Sequence, residues 1–123
     1  MYVVFTDSPL KEVQWLKPNF RHCYCVQDDN PVWTCIHPGR NYLDVSFYLH
    51  SEYPTIQDFV MDSQASILKF KQVTDNHKNA HGLNIVSCVG AVKYCIGIQK
   101  PFIMTPYQLY KYLVQSGELI EGY

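Results

Sequence analysis

Hydrophobic and polar residues alternate most clearly over residues 42–49, where every second side chain on one face is apolar. Alternation with a period of two is typical of a strand with one face buried. Four more segments are rich in β-branched and aromatic residues and are predicted to be strands, namely 2–5, 20–27, 32–37 and 66–73. The apolar face of the segment 42–49 consists of Leu43, Val45, Phe47 and Leu49.

A second pattern, with apolar residues three and four positions apart, predicts a short helix over residues 88–97. Ser87 is a natural N-cap for this helix, and Gly97 is a C-terminal stop. Another helix is predicted to begin at Thr105, which can form a capping box with Gln108. Strands in the middle of the chain, with helices before and after them, predict an α+β fold. Further helical segments are predicted over 8–16 and 55–59.

The residues 28–31, Asp-Asp-Asn-Pro, have turn chemistry and predict a hairpin between the second and third strands. If Gln27 pairs with Val32 across this turn, His22 lies directly opposite His37. The Cβ atoms of opposed residues are about 4.5–5.5 Å apart, so the two imidazole rings are expected to touch. This register predicts a buried face made of His22, Tyr24, Val26, Trp33, Cys35 and His37. The opposite face carries Arg21, Cys23, Cys25, Gln27, Val32, Thr34 and Ile36.

Composition and charge exclude several classes of protein. The 123 residues are enough for one domain, expected over 1–123, and 47% hydrophobic and 15% aromatic residues indicate a folded chain. The net charge of −1 gives no electrostatic basis for binding nucleic acid or an anionic membrane. Neither a signal peptide nor a membrane span is predicted. Five cysteines without a secretory signal indicate free thiols in a reducing compartment.

The residue Cys88 lies in the first turn of the predicted helix, where unsatisfied N–H groups and the helix dipole favour a thiolate. Two histidines on a core-facing hairpin and a thiol at the start of a core helix are the components of a cysteine nucleophile with its base and orienting group. The amide of Cys88 can also donate to an oxyanion. The alternative interpretation is that His22 and His37 are half-buried histidines that stack on aromatic neighbours, and that Cys88 is a buried core residue.

The order of these residues resembles the circularly permuted papain-like families, which include the lecithin–retinol acyltransferase-like and permuted NlpC-type hydrolases. The resemblance implies a small antiparallel sheet packed on a cysteine-bearing helix. It also implies that His22 is the base, His37 the orienting residue and Cys88 the nucleophile. Asn41 and Asp44 are alternatives for the orienting role. For the base, His81 is a weaker alternative.

The segments 87–98 and 105–113 also resemble small uncharacterised proteins encoded by tailed bacteriophages. This resemblance implies a location in the cytoplasm of the host cell or in the phage virion, and assembly into a phage particle. It implies no particular activity. Apolar residues flank Ser87 and Cys88, whereas the permuted families often place polar residues there, so a degenerate copy of the fold is one of the interpretations.

Three functions are therefore compatible with the sequence. The first is a thiol-dependent hydrolase or acyltransferase that acts on an amide or ester bond of a peptide, peptidoglycan or ester substrate, with no metal or organic cofactor required. The second is a non-catalytic virion component that keeps a papain-like fold. The third is a small zinc-binding module, for which thiolate and imidazole are suitable ligands. Its ligands would be Cys23, Cys25, Cys35 and His37.

Overall fold

The computed structural model describes residues 1–38, 43–61, 64–70, 88–97, 103–115 and 118–121. The chain has an α+β fold, as predicted, with an antiparallel sheet and a few short helices. The strands are β1 (Tyr2–Thr6), β2 (His22–Asp29), β3 (Val32–Pro38), β4 (Leu43–Leu49), β5 (Ser66–Lys69) and β6 (Glu118–Glu121). Their order across the sheet is β4-β3-β2-β1-β5-β6, so β2 and β1 are central.

Among the described residues, three α-helices accompany the sheet, and their bounds are α1 (Ile56–Val60), α2 (Cys88–Ile96) and α3 (Pro106–Leu113). Thr55 and Thr105 begin α1 and α3 with complete capping boxes, in which each threonine side chain accepts a hydrogen bond from the third backbone N–H of its helix. Gly97 follows α2 with a φ of 80°, a conformation that glycine adopts without steric cost. Local sequence therefore determines where these helices begin or end. In the part of the chain that is described, no helix has the length and apolar character needed to cross a membrane.

Helices pack on both faces of the sheet. On one face of the sheet, α2 and α3 pack against side chains of β1, β2 and β5 and bury them. On the other face, α1 contributes Ile56 to a smaller cluster with Val26, Trp33 and Cys35. Each fully buried aliphatic or aromatic side chain contributes roughly 1.5–3 kcal/mol through the hydrophobic effect. The larger cluster contains Val3, Phe5, Phe20, Cys23, Cys25, Leu68, Val89, Val92, Cys95, Ile96, Leu109 and Leu113.

The register of the β2–β3 hairpin differs from the predicted one. Asp29 pairs with Val32 and Gln27 pairs with Thr34, so the turn has two residues instead of four. His22 is therefore not directly opposite His37, and that prediction is wrong. A shift of two residues leaves every side chain on its original face, so the predicted division of the hairpin into two faces is correct.

Two other predictions from the sequence are wrong. The apolar face of β4 is not buried, since Val45, Phe47 and Leu49 are 47%, 66% and 49% exposed. These residues lie on the face that α2 and α3 cover, but the described helices pack over β2 and β1 and leave the edge strand open. The first predicted helix is only a 3₁₀ turn at Lys11–Val13, because no apolar stripe holds a longer helix against the core. Trp15, for example, is 76% exposed.

Candidate active site

The candidate site lies where the start of α2 meets the start of β2. Cys88 is the first residue of α2 and is half-buried, whereas the predicted N-cap Ser87 lies outside the described residues. The apolar side chains of Val89, Val92 and Ile96 hold the helix against the sheet, and none of the three is more than 2% exposed. The thiol of Cys88 is thus fixed by a rigid helix at the margin of the core.

The Cys88 thiol contacts two residues at the start of β2. Its side chain is hydrogen-bonded to the side chain of Cys23 and to the ring of His22, and it also accepts from the Cys23 backbone amide. The hydrogen bond from Cys23 is the largest influence, and His22 adds a hydrogen bond and a charge. Together they lower the pKa of Cys88 from 9.0 to about 4, although burial opposes them. Cys88 is therefore a thiolate at neutral pH.

The second contact of the site joins the two histidines. The Nε2 atoms of His22 and His37 are 3.3 Å apart, and the ring centroids are 4.7 Å apart. Tyr24 stacks beside both rings, with its centroid 4.9 Å from that of His37 and 6.2 Å from that of His22. His22 and His37 thus touch despite the shifted register, because they occupy diagonal positions on the same face of the hairpin.

The environment of His37 favours its neutral form. Burial lowers the pKa of His37, the neighbouring His22 lowers it further, and Asp44 and Cys88 oppose this shift. Asp44 is the direct partner of His37 in the β3–β4 register and is exposed. Asp44 therefore lies beside His37 and not beside His22. The other predicted alternative for the orienting role, Asn41, lies outside the described residues.

Sequence reasoning missed the role of Cys23. The sequence placed Cys23 on the hairpin face opposite His22 and gave it only as a candidate zinc ligand, and the face that includes His22 was expected to be the buried side of the hairpin. Instead, α2 packs on the face that carries Cys23 and Cys25, and both cysteines are fully buried there. Burial raises the pKa of Cys23 well above 9.0, and its hydrogen bond to Cys88 raises it further. In this pair, Cys23 stays protonated and its S–H group donates a hydrogen bond to the Cys88 thiolate.

The contact between Cys88 and His22 involves the first residue of β2. His22 is the first residue of β2, and its side chain belongs to the face opposite α2. At the end of a strand, a side chain can be reached from the other face. The structure thus brings Cys88, His22 and His37 into one continuous chain of contacts, while His81, the weaker alternative for the base, lies outside the described residues.

The four cysteine and histidine residues of the predicted zinc module do not converge. Cys23 and Cys25 lie on the α2 side of the sheet, and Cys35 and His37 lie on the α1 side. Among the described residues, no group of three or more histidine, cysteine or acidic side chains has an arrangement that could hold a metal ion.

A second polar cluster lies at the opposite end of β2. His50 stacks on Trp33 with 4.1 Å between ring centroids, and its Nε2 is 2.9 Å from an oxygen of Asp28. The cluster lines an open cavity of about 480 Å³. The only hydroxyl-bearing aliphatic side chain of its described lining is Thr55, which caps α1. This cavity therefore lacks the nucleophile that the Cys88 site has.

Comparison with protein-family models, with curated proteins and with solved structures finds no match for this chain. The resemblance to permuted papain-like hydrolases and to phage proteins therefore remains a prediction.

The contacts of the site define what it can do chemically. A thiolate in contact with an imidazole combines a nucleophile with a group that can deliver or accept a proton. When His22 is protonated, its Nε2–H can donate to the unprotonated Nε2 of a neutral His37, and this bond stabilises the imidazolium. The neutral state that His37 favours is the one that this role requires.

Proposed function

We propose that the protein is a thiol-dependent hydrolase or acyltransferase that acts on an amide or ester bond, with Cys88 as its nucleophile. The observation that carries the proposal is the contact chain from the Cys88 thiol to His22 and from His22 to His37. Hydrogen bonds from Cys23 and His22 lower the pKa of the Cys88 thiol against the effect of burial, so the nucleophile lies beside an imidazole that can carry a proton.

The reaction would proceed in two steps. The Cys88 sulfur attacks the carbonyl carbon of the substrate, and the leaving amine or alcohol takes a proton from His22 as the bond to it breaks. Water or an acceptor alcohol or amine then attacks the thioester carbonyl, while His22 accepts its proton and Cys88 leaves as a thiolate. His37 is a positioning residue, since it contacts His22 but not the reacting sulfur.

The oxyanion of each tetrahedral intermediate needs donors that are already oriented. The first N–H groups of a helix have no partner within the helix, and the first residue of α2 is Cys88 itself. The amide of Cys88 is the donor we assign to this role. A permuted papain-like topology, in which the histidine strand precedes the cysteine helix, belongs to the same proposal, and the chain order His22, His37, Cys88 supports it.

A test of the proposal uses p-nitrophenyl acetate as an activated ester. The wild type is expected to release more than one equivalent of p-nitrophenolate per chain and to carry a transient acetyl group on Cys88, which mass spectrometry of the quenched protein detects. Cys88→Ser should abolish both signals, and His22→Ala should slow turnover by about 10²–10⁴-fold, the usual range for the loss of a general acid–base group.

The matched control is Cys95→Ser, which removes another thiol of α2 and should leave turnover unchanged. Release of p-nitrophenolate that continues at the wild-type rate in Cys88→Ser would show that another group reacts, and the proposal would be wrong. A wild type that is acetylated on Cys88 but never deacylated would contradict the assignment of His22 as the base.

The competing proposal is a non-catalytic virion component that keeps this fold. The exposed apolar side chains of the edge strand β4, including Phe47 at 66% exposure, favour an assembly role over an isolated enzyme. The same assay separates the two proposals, because a purely structural component would hydrolyse the ester no faster in the wild type than in Cys88→Ser.

A further inference from the structure

Four of the five cysteines form two thiol pairs between one strand and one helix. Cys23, Cys25 and Cys95 belong to the core cluster between β2 and α2, and Cys88 packs against that cluster. Within it, Cys23 is hydrogen-bonded to Cys88, and Cys25 is hydrogen-bonded to Cys95. Cys23 and Cys25 are two residues apart on one face of β2, and Cys88 and Cys95 are seven residues, or two turns, apart on one side of α2. Hydrolysis at Cys88 uses the Cys23 thiol only as a hydrogen-bond donor and does not use the Cys25–Cys95 pair.

The two pairs differ in their access to solvent. Cys23 and Cys25 are fully buried, and Cys95 is 9% exposed, whereas Cys88 is half-buried at the start of its helix. A small oxidant from solution therefore reaches Cys88 first. The thiol that is hydrogen-bonded to it is that of Cys23, which belongs to the core cluster against which Cys88 packs.

We propose that Cys88 and Cys23 form a peroxide-reactive thiol pair, in which a hydroperoxide oxidises Cys88 and Cys23 then closes a disulfide with it. The proposal is independent of the hydrolase activity, because it needs no acyl substrate. It shares the Cys88 sulfur with that activity, so the disulfide would remove the nucleophile and stop hydrolysis until a dithiol reductant restores both thiols.

Each step of the oxidation balances. The Cys88 thiolate attacks one oxygen of hydrogen peroxide, the O–O bond breaks, and the departing hydroxide takes a proton and leaves as water. Sulfur loses two electrons and becomes a sulfenic acid. The Cys23 sulfur then attacks the Cys88 sulfur, the S–O bond breaks, and the hydroxide that leaves takes the Cys23 proton. The net reaction converts two thiols and one peroxide to a disulfide and two waters.

The first step also prepares the second. The thiolate of Cys88 contributes, through its hydrogen bond and its charge, to the raised pKa of Cys23. Once Cys88 carries oxygen instead of a negative charge, both contributions end and only burial and the neighbouring Cys25 remain. Cys23 therefore gives up its proton more readily after Cys88 is oxidised.

The test treats the folded, reduced chain with hydrogen peroxide, blocks the remaining thiols with N-ethylmaleimide and maps the digested peptides by mass spectrometry. The expected product is a linked pair of peptides containing Cys23 and Cys88, which dithiothreitol separates. Cys23→Ala should instead accumulate a sulfenic acid on Cys88, trapped by dimedone, and then further oxidation products. Cys25→Ala is the matched control and should form the same disulfide as the wild type.

Two results would overturn the proposal. One is a wild type in which Cys88 is oxidised but stays a sulfenic acid even though Cys23 is present, and the other is a linkage of Cys25 to Cys95 in place of the expected one. The ester assay distinguishes this failure from failure of the proposed function, because it measures turnover of the reduced protein without peroxide.

Discussion

Iodoacetamide is expected to alkylate Cys88 at a rate that changes less than about twofold between about pH 6 and about pH 8. The reason is that the thiolate, not the thiol, is the nucleophile. Because the pKa of Cys88 is about 4, the residue is already ionised throughout this range. The thiolate fraction of a thiol with an ordinary pKa near 8.5 would rise roughly 75-fold over the same interval.

The test uses how the alkylation rate changes with pH, and it does not use the absolute rate. A thiolate of low pKa is intrinsically less nucleophilic, so Cys88 at about pH 8 need not react faster than a free cysteine. Site-resolved peptide mass spectrometry after timed quenching separates the five thiols. Cys35 is the internal control, since burial and Asp44 raise its pKa to about 11 and its rate should be low. A Cys88 rate that rises steeply with pH in this interval would contradict the account.

Replacing Cys23 by alanine is expected to move the midpoint of that pH profile upward. The hydrogen bond from the Cys23 side chain is the largest of the influences that lower the pKa of Cys88, and alanine removes it. Since burial continues to favour the neutral thiol, part of the Cys88 population becomes protonated near neutral pH. Alkylation of the variant should therefore regain a dependence on pH, which the same quenched assay measures.

Two matched variants distinguish the loss of the Cys23–Cys88 hydrogen bond from the loss of packing in the core. Cys23→Ser keeps a donor at the same position, so its profile should stay close to that of the wild type. Cys25→Ala removes another fully buried thiol from the same face of the same strand and should leave the profile unmoved. If Cys23→Ala and Cys25→Ala shift the midpoint equally, the effect comes from packing and not from the hydrogen bond to Cys88.

The contact between the two histidine rings was predictable from the alternation of side chains between the two faces of a strand. His22 and His37 fall on one face of a hairpin for any register that differs by an even number of residues, so the error of two residues left them in contact. The first residues of α1 and α3 were also predictable, because capping boxes at Thr55 and Thr105 are local features. Such features depend on few neighbours in space.

What the sequence did not reveal depends on long-range packing. Whether α2 covers the His22 face or the Cys23 face of the hairpin is decided by how the whole sheet packs, and both faces are apolar enough to be buried. The role of Cys23 follows from that choice. The exposure of Phe47 and the pairing of β6 with β5 have the same origin, since each depends on which element lies next to a strand. A signal was present in the repeat of cysteines two apart on β2 and seven apart on α2.

The proposed hydrolysis and the proposed peroxide-reactive pair place different requirements on the residues around the Cys88 sulfur. Hydrolysis needs His22 and His37 but uses only the thiolate of Cys88, whereas disulfide formation needs Cys23 as a second sulfur. Cys23→Ser should keep turnover while losing the disulfide. His22→Ala should lose turnover while still forming the disulfide, as long as the Cys23 hydrogen bond keeps enough of Cys88 ionised.

Both proposals require that Cys88 is a thiolate, stabilised by groups that Cys23 and His22 of β2 supply. Ultraviolet absorbance of the thiolate, recorded against pH for the folded wild type and for Cys88→Ser, measures this directly by difference. We expect a difference in absorbance that is fully developed at neutral pH and that disappears as the pH falls, with a midpoint near pH 4. A midpoint near the ordinary thiol value of 9.0 would contradict it.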